Sequence, residues 1–545
     1  MSSKRPLPQN RYGHFSDDGT EYVVTDPRPP RPWSNVIANE RVGLCVSHTG
    51  SGFSWIDNSQ LGTVTRWQQE LASDRSGKFV YVRDAEDGAL WSLSPSPVWA
   101  ALERFACRHG MGYTAFETAF HGIEARWTLF CDDAATVELW KVELHNVSGR
   151  ARRLELTGFL EWCCGVAPAP RREFGRLFLE TRSDAARSAV FAKNHMWDVS
   201  SERYGHWNTS FPYVSAFAAS EELDGMQGDK AAFLGRFGDL AAPAALAERE
   251  WTPLFGRHED PIAALRCVVD LPAGGSRTLG FTLATAETEE DAAGLVDRFR
   301  GADAVDASLA RVRAGWRQRL STHRMETPDA SLDAMTNDWV RYQAIAARLW
   351  GRAGYYQQSG AFGFRDQLQD SQVWLTIDPE RCRRQLELHA KHQFADGSVY
   401  HWWHPLTEQG HVTKMTDDLL WLAFVAASYI RETGDASVLR DTAPYLDEKT
   451  PAPLSDHALR AFRRVFQRTS PRGIPLIGAG DWNDGLSAMG LREKGESFWL
   501  AQFLAGLLAD WSEIWKRAGR ADLSAEFGDR RTALVAAINA HGWDG

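Results

Sequence analysis

The sequence predicts a multidomain α+β protein: a large antiparallel β-sandwich, a helical linker, and then part of a helical toroid. Three observations predict it. Apolar residues recur with a period of two over roughly the first 285 residues, and the period turns helical near residue 288. Beyond residue 326, helical segments alternate with long loops rich in Gly, Trp, His and Asp. At 545 residues the chain exceeds one ordinary core, given about 100 to 200 residues per domain. We place the sandwich at 1–286, the linker at 287–325 and the helical domain at 326–545.

In the sandwich, "LWKVELHN" (139–146) sets Trp140, Val142 and Leu144 against Lys141, Glu143 and His145. Similarly, "RTLGFTLATA" (277–286) puts Leu279, Phe281 and Leu283 on one face, after the turn-forming "PAGGS". No repeat of about 20 to 50 residues is visible, which argues against a propeller. In the linker, Thr288 with Asp291 forms a capping-box-like start, and Leu309, Val312, Trp316 and Leu320 follow at helical spacing. Helices are predicted near 288–300, 304–320, 329–350, 379–393, 417–433, 453–467, 496–518 and 524–541, the first two forming the linker. Thr327-Pro328 starts the third, with Leu332, Met335, Trp339 and Tyr342 as its apolar stripe.

Hydrophobic content of 43% and charged content of 24% fit a soluble globular chain, and no stretch reaches the ~18 apolar residues of a membrane span. The opening "MSSKRPLPQNRYGHF" has no apolar core of a secretory signal, so a cytoplasmic location is expected. Seven cysteines with no C-x-x-C pair or zinc spacing predict reduced, buried thiols. A net charge of −10 without a long basic run excludes a nucleic-acid footprint and leaves a small molecule as the expected partner. The 23 tryptophans, many beside Asp, Glu, His or Asn, are core fillers or flat apolar platforms with a polar edge, which suit sugars.

Three loops are long enough to carry function: 351–372, 393–418 and 473–497. The first holds Arg365, Asp366 and Asp370. An Arg fork grips carboxylate or phosphate and acids accept paired sugar hydroxyls, while an Arg-Asp brace at a helix start stays equally open. The second holds His401, Trp402, Trp403, His404 and His411, with no acid at zincin spacing, so no metal is expected. In the third, Asp481 and Asp484 are neighbours on one loop and divide naturally into one that braces and one that projects. If inorganic phosphate is the attacking species, a general base is unnecessary; one acid and an anion site suffice.

"GAFGFRDQLQD" (360–370), "HWWHP" (401–405), "TDDLLWL" (416–422) and "GAGDWNDG" (478–485), in this order after a long β domain, resemble the inverting β-glycoside phosphorylases of glycoside hydrolase family 94. That family includes cellobiose, cellobionic acid and chitobiose phosphorylases and the phosphorylase-like domain of cyclic β-1,2-glucan synthases. The resemblance implies an (α/α)6 barrel for the helical domain. It also implies reversible phosphorolysis of a β-glucoside to α-glucose 1-phosphate, with phosphate as co-substrate, no metal or organic cofactor, and a homodimer. It places the general acid on Asp484, lines the donor-sugar site with Trp482 and Asn483, sets Arg365 and Asp366 on donor hydroxyls, and offers Arg352 for phosphate. Asp370 joins the substrate-binding candidates on local grounds.

Two departures shape the expectation. "SGAFGFRD" (359–366) is shorter than in cellobiose phosphorylases and carries Ala361 and Phe362 where they carry a further sugar-binding Arg, which points away from cellobiose toward another β-linked glucoside or oligoglucan. About six helices follow the linker where the barrel has twelve. The toroid is therefore expected to be truncated to about half, with the rest of the phosphate site missing and little or no phosphorolysis by the chain alone. Two alternatives stay open: an inverting hydrolase with Asp370 or Glu408 as base, and a non-catalytic glucan-binding or length-controlling domain.

Overall fold

A computed structural model describes residues 6–167, 175–199, 209–257 and 260–543. The chain forms two compact units, one ending at Gly360 and the other running from Ala361. The first unit is built on two antiparallel sheets of eleven and nine strands. In the larger, Arg104–Gly110, Tyr113–Phe120, Ile123–Cys131 and Val137–Asn146 pair in succession, and Val137–Asn146 then pairs with Ser276–Ala286, placing Trp140 opposite Phe281. The alternation holds: Trp140, Val142 and Leu144 are buried, while His145 is exposed. In the smaller sheet, Arg152–Gly165 lies between Pro261–Leu271 and Phe79–Asp84.

The two inner faces bury one core in which Trp127, Trp140 and Trp162 are fully enclosed. For these three the core-filling role holds. A ring burying about 200 Å² at about 25 cal/mol per Å² contributes about 5 kcal/mol before entropy is charged against it. Trp140 packs against Phe217 and Phe281 with ring centroids 4.9 and 5.8 Å away.

The linker follows its sequence signals. Thr288 caps the helix Glu289–Arg298 by accepting from the Asp291 amide at 3.1 Å, and the helix Ala302–Arg319 follows. The next helical stretch, from Ala330 to Gly351, departs from a regular period because π-turns occupy Met335–Trp339 and Ala344–Gly351. A π-turn takes more residues per revolution, so the apolar stripe slips in phase. Trp339 and Tyr342 are buried, whereas Leu332 and Met335 face solvent. The same stretch packs within the first unit: Tyr342 Oη donates to the Val36 carbonyl at 2.7 Å and accepts from the Gly112 amide at 3.2 Å, and Trp339 Nε1 donates to the Gly19 carbonyl at 2.8 Å. Residues 326–360, grouped with the helices by sequence, thus fall on the sandwich side of the division between compact units.

The second unit contains six helices of eight or more residues among the described residues: α1 (Phe364–Ser371), α2 (Pro379–Ala390), α3 (Trp421–Thr433), α4 (Leu454–Phe466), α5 (Phe498–Arg517) and α6 (Ala521–His541). Two segments read as loop are regular. "FRDQLQD" is helix α1, which the sequence hides because Arg365 and Gln367 sit on its buried side beside Phe364 and Leu368. "HWWHP" supplies the strand Tyr400–His404, paired with Phe362–Gly363 and Gln409–Val412. Helix α3 is apolar nearly all round and correspondingly buried, with Trp511 Nε1 of α5 donating to its Ala423 carbonyl at 3.0 Å. Among the described residues no helix is long and apolar enough to cross a membrane. All seven cysteines are free thiols, six of them buried.

Candidate functional site

The site of the second unit is built around Arg365, in the first turn of α1. Its side chain is only 7% exposed. Nη1 donates to Asp417 Oδ2 and to the Asp481 carbonyl, both at 3.3 Å, and Nη2 donates to Asp484 Oδ1 at 2.9 Å. One guanidinium therefore joins α1, the segment before α3 and the Asp481–Asp484 loop. Just before α1, a Cβ on Gly363 would lie 2.1 Å from Asp366 Oδ2, so that carboxylate folds back over the strand end only because residue 363 has no side chain.

The loop carrying the two acids is pinned from both sides. The Ala479 amide donates to the Lys414 carbonyl at 3.0 Å, and Thr416 Oγ1 donates to the Leu476 and Ile477 carbonyls at 2.7 and 2.8 Å. Gly478 adopts φ +64°, where a Cβ would meet the Lys414 carbonyl at 1.9 Å. Asp481 is buried and fully engaged: Oδ1 accepts from the Asn483 amide at 2.8 Å, and Oδ2 accepts from Ser497 Oγ at 2.5 Å. Ser497 in turn caps α5 by accepting from the Leu500 amide at 2.9 Å. Asp481 is thus a brace. Asp484, with a side chain 66% exposed, projects toward solvent on the far side of Arg365.

Trp482 is half exposed and begins an aromatic row. Its ring lies 6.5 Å from Trp499, which lies 5.3 Å from Phe503, which lies 4.9 Å from Trp421. Trp421 Nε1 closes the row onto Asp417 Oδ2 at 3.1 Å. Asn483 is exposed and precedes the short turn that opens at Asp484.

Asp417 and Asp418, whose motif the sequence flagged without assigning them a role, form the electrostatic floor. Both are buried, and Oδ1 of each has no hydrogen-bond partner. Burial, then the charge of Asp418, push the Asp417 carboxyl up to about 6. Burial also raises Asp418, while its bond to His401 Nδ1 at 2.7 Å opposes the shift and raises the imidazole in turn. For Arg365 burial favours loss of the proton, but Asp417, Asp484 and Asp418 outweigh it and keep the guanidinium firmly charged. A signal for this floor existed in the sequence: a helix apolar on every side has its first residues buried too, so the two acids before α3 could not be ordinary exposed caps.

The remaining candidates are placed as follows. Asp366 is near enough to Asp418 to add to its shift, and Asp370 shares its face of α1 one turn on. His401 points to Asp418 rather than to a metal arrangement with His404, and Trp403 is buried against His392 with rings stacked at 3.9 Å. Glu408 Oε2 pairs with His392 Nε2 at 2.8 Å. Arg352 belongs to the first unit, where it ends the Ala344–Gly351 turn in a left-handed conformation at φ +42° and its carbonyl accepts from the Gly360 amide at 3.1 Å.

Chemically, the arrangement offers an exposed carboxylate held by a buried cation, an aromatic face beside it, and hydroxyl-accepting acids on α1. The family model described as "Glycosyl hydrolase 94, supersandwich domain" matches residues 20–302, and "Glycosyl hydrolase 94 superfamily, catalytic domain" matches 315–545. The chain is 33% identical to cyclic beta-(1,2)-glucan synthase NdvB of Rhizobium meliloti, over 98% of this chain and 19% of that protein. It is 30% identical to solabiose phosphorylase of Paenibacillus borealis, over 98% of this chain and 67% of that protein. It therefore spans a fifth of the synthase and about two thirds of the phosphorylase. A bacterial glucoamylase crystallised with acarbose shares the fold, with a TM-score of 0.54 at 9% identity over 94% of this chain and 70% of its own.

Proposed function

Since the chain belongs to glycosyl hydrolase family 94, we propose that it carries the acid and donor-sugar part of an inverting β-glucoside phosphorylase. In this reading Asp484 protonates the glycosidic oxygen, inorganic phosphate attacks the anomeric carbon from the opposite face, and α-glucose 1-phosphate leaves with a shortened acceptor. Once the proton has gone, the carboxylate of Asp484 already faces Arg365 Nη2 at 2.9 Å. Trp482 offers its half-exposed ring to the apolar face of the donor sugar, Asp366 and Asp370 accept its hydroxyls, and Arg352 contributes to phosphate binding. Phosphate is a co-substrate, and no metal or organic cofactor is called on. The similarity to a β-(1,2)-glucan synthase favours a β-1,2-linked oligoglucoside as substrate.

The single observation that supports this reading best is the division of labour in one loop: Asp481 is saturated by Asn483 and Ser497, leaving Asp484 as the projecting acid. Glu408, a base candidate for hydrolysis, is engaged by His392, which favours phosphate over water as the nucleophile. The test is release of sugar 1-phosphate from β-1,2-oligoglucosides by the natural polypeptide that carries this chain. Asp484→Asn is expected to lower turnover by about 10²- to 10⁴-fold with binding retained. Phosphate-independent release of free glucose would replace phosphorolysis by hydrolysis, and full activity of the Asn variant would move the acid elsewhere.

A further inference from the structure

The first unit holds a cleft of about 730 Å³ that no part of the proposed chemistry uses. It is lined by the stretch "PRPPRP" (27–32), by Trp99 and by the segment that carries Asp74 and Arg75. Four prolines fix φ and stiffen this wall, which carries Arg28 and Arg31. Both line the cleft. The wall is fixed by buried His48, whose Nδ1 meets the Trp33 amide and whose Nε2 meets the Pro27 carbonyl, each at 3.2 Å.

The aromatic side is held just as firmly. Trp99 sits at φ +56°, a conformation costly for a bulky residue, and its amide donates to the Pro95 carbonyl at 2.8 Å. Ser92 and Ser94 hydroxyls each donate two residues ahead at 2.8 Å, and the Ser96 amide donates to the Thr49 carbonyl at 3.0 Å. Asp74 is a second non-glycine residue in the left-handed region, at φ +47°. Hydroxyls of Ser47 and Thr49 bond its Oδ2 and that of Tyr355 bonds its Oδ1, so the carboxylate is held in place without a direct ion pair to the arginines of the cleft.

The cleft is lined by three guanidinium groups and one carboxylate, so it keeps a net positive charge. Arg28 lies over the Trp99 ring at 5.5 Å, Arg75 has only a loose 3.6 Å contact with Asp239 between two exposed side chains, and Arg31 has no carboxylate partner among the described residues. On a chain of net charge −10, a rigid, concave concentration of guanidinium groups around one aromatic face calls for a ligand that is anionic at one end and flat and apolar at the other. We propose that this cleft binds a pyranose carrying an anionic group, a sugar phosphate or a uronate, with the ring against Trp99 and the anion on Arg28, Arg31 and Arg75. The site stands independently of the role given to Asp484.

The test is calorimetric titration of the whole 545-residue chain with glucose 1-phosphate, glucose 6-phosphate and glucuronate, beside glucose alone and inorganic phosphate alone. Anionic sugars are expected to bind about tenfold or more tightly than glucose or phosphate. Arg31→Glu and Trp99→Ala are each expected to weaken that binding about tenfold or more, most clearly for glucuronate. The two phosphates against glucuronate identify which source the cleft prefers. Arg31 is exposed, so its substitution tests binding without testing folding. Anionic-sugar binding that both Arg31→Glu and Trp99→Ala leave unchanged would overturn the proposal, as would equal affinity for glucose, or tight association only with a second copy of the chain.

Discussion

Two buried ion pairs of the sandwich, Lys78–Glu138 and Arg152–Asp84, are satisfied more fully than the acids around Arg365 in the helical unit. In the sandwich, Lys78 meets both oxygens of Glu138 at 2.6 and 2.8 Å, and the same carboxylate accepts from Ser54 and, at 2.6 Å, from Trp140 Nε1. Asp84 is likewise filled by Arg152 and by the Glu86 amide at 2.8 Å. Around Arg365 the count falls short: Asp417 and Asp418 are equally buried, yet each keeps an oxygen without a donor. A fully satisfied buried pair fixes a fold. A pair left partly unsatisfied beside an exposed acid holds back interaction capacity, which is the usual condition of a working site.

Three experiments break or sharpen that contrast. The largest effect is expected in the sandwich, where Lys78→Met strands the Glu138 carboxylate and should cost about 3 to 5 kcal/mol in urea unfolding, most of it recovered when Glu138→Leu is added. A cost near zero would mean that the saturated pair is not what fixes the sheet. Next comes Ser497→Ala, which removes the α5 cap and one anchor of Asp481 together; about 1 to 2 kcal/mol is expected, and more where both losses act on one loop. The smallest effect is a pH dependence. Asp417 has a carboxyl raised from 3.8 to about 6 in the folded chain, so the stability it contributes is fully present below about 3.8 and is lost as pH rises through about 6. It is faced by Arg365 from α1 and by Asp418 and Trp421 on its own segment. Asp417→Asn, with no proton to lose, should therefore gain Tm relative to the unsubstituted chain between pH 4 and pH 7; a difference independent of pH would remove Asp417 from the electrostatic floor.

The parts legible in sequence are those where one residue reports one environment. Trp140, Val142 and Leu144 announce a buried strand face because each alternates with a polar neighbour, and Thr288 with Asp291 announces a helix start. Asp481 and Asp484 could be divided into brace and projection because neighbouring acids on one turn rarely do the same work. What stayed hidden depends on partners distant in the chain. Arg365 and Gln367 break the apolar period of α1, since a buried arginine reads as a surface residue until its acids are known. Leu332 and Met335 fit an apolar stripe with Trp339 and Tyr342 that π-turns put out of phase, and nothing local in the sequence marks an extra residue in a turn. The strand at Tyr400–His404 was masked by its own chemistry: His, Trp, Trp and His suggest a loop, while their alternation, with Trp403 inward, is that of a sheet.

The reach of Arg365 also has a consequence in time. Its partners stand 52 and 119 positions further along the chain. While the polypeptide is being made, this arginine waits for more than a hundred further residues before Asp484 exists, and contacts of such separation close slowly because the intervening chain must first be ordered. The helices can begin to pack while the centre is still empty, and a nascent chain carrying α1 to α4 holds a cation and two acids awaiting a loop not yet synthesised. The centre closes only after residues 476–480, which bond the Lys414–Thr416 segment, have been made.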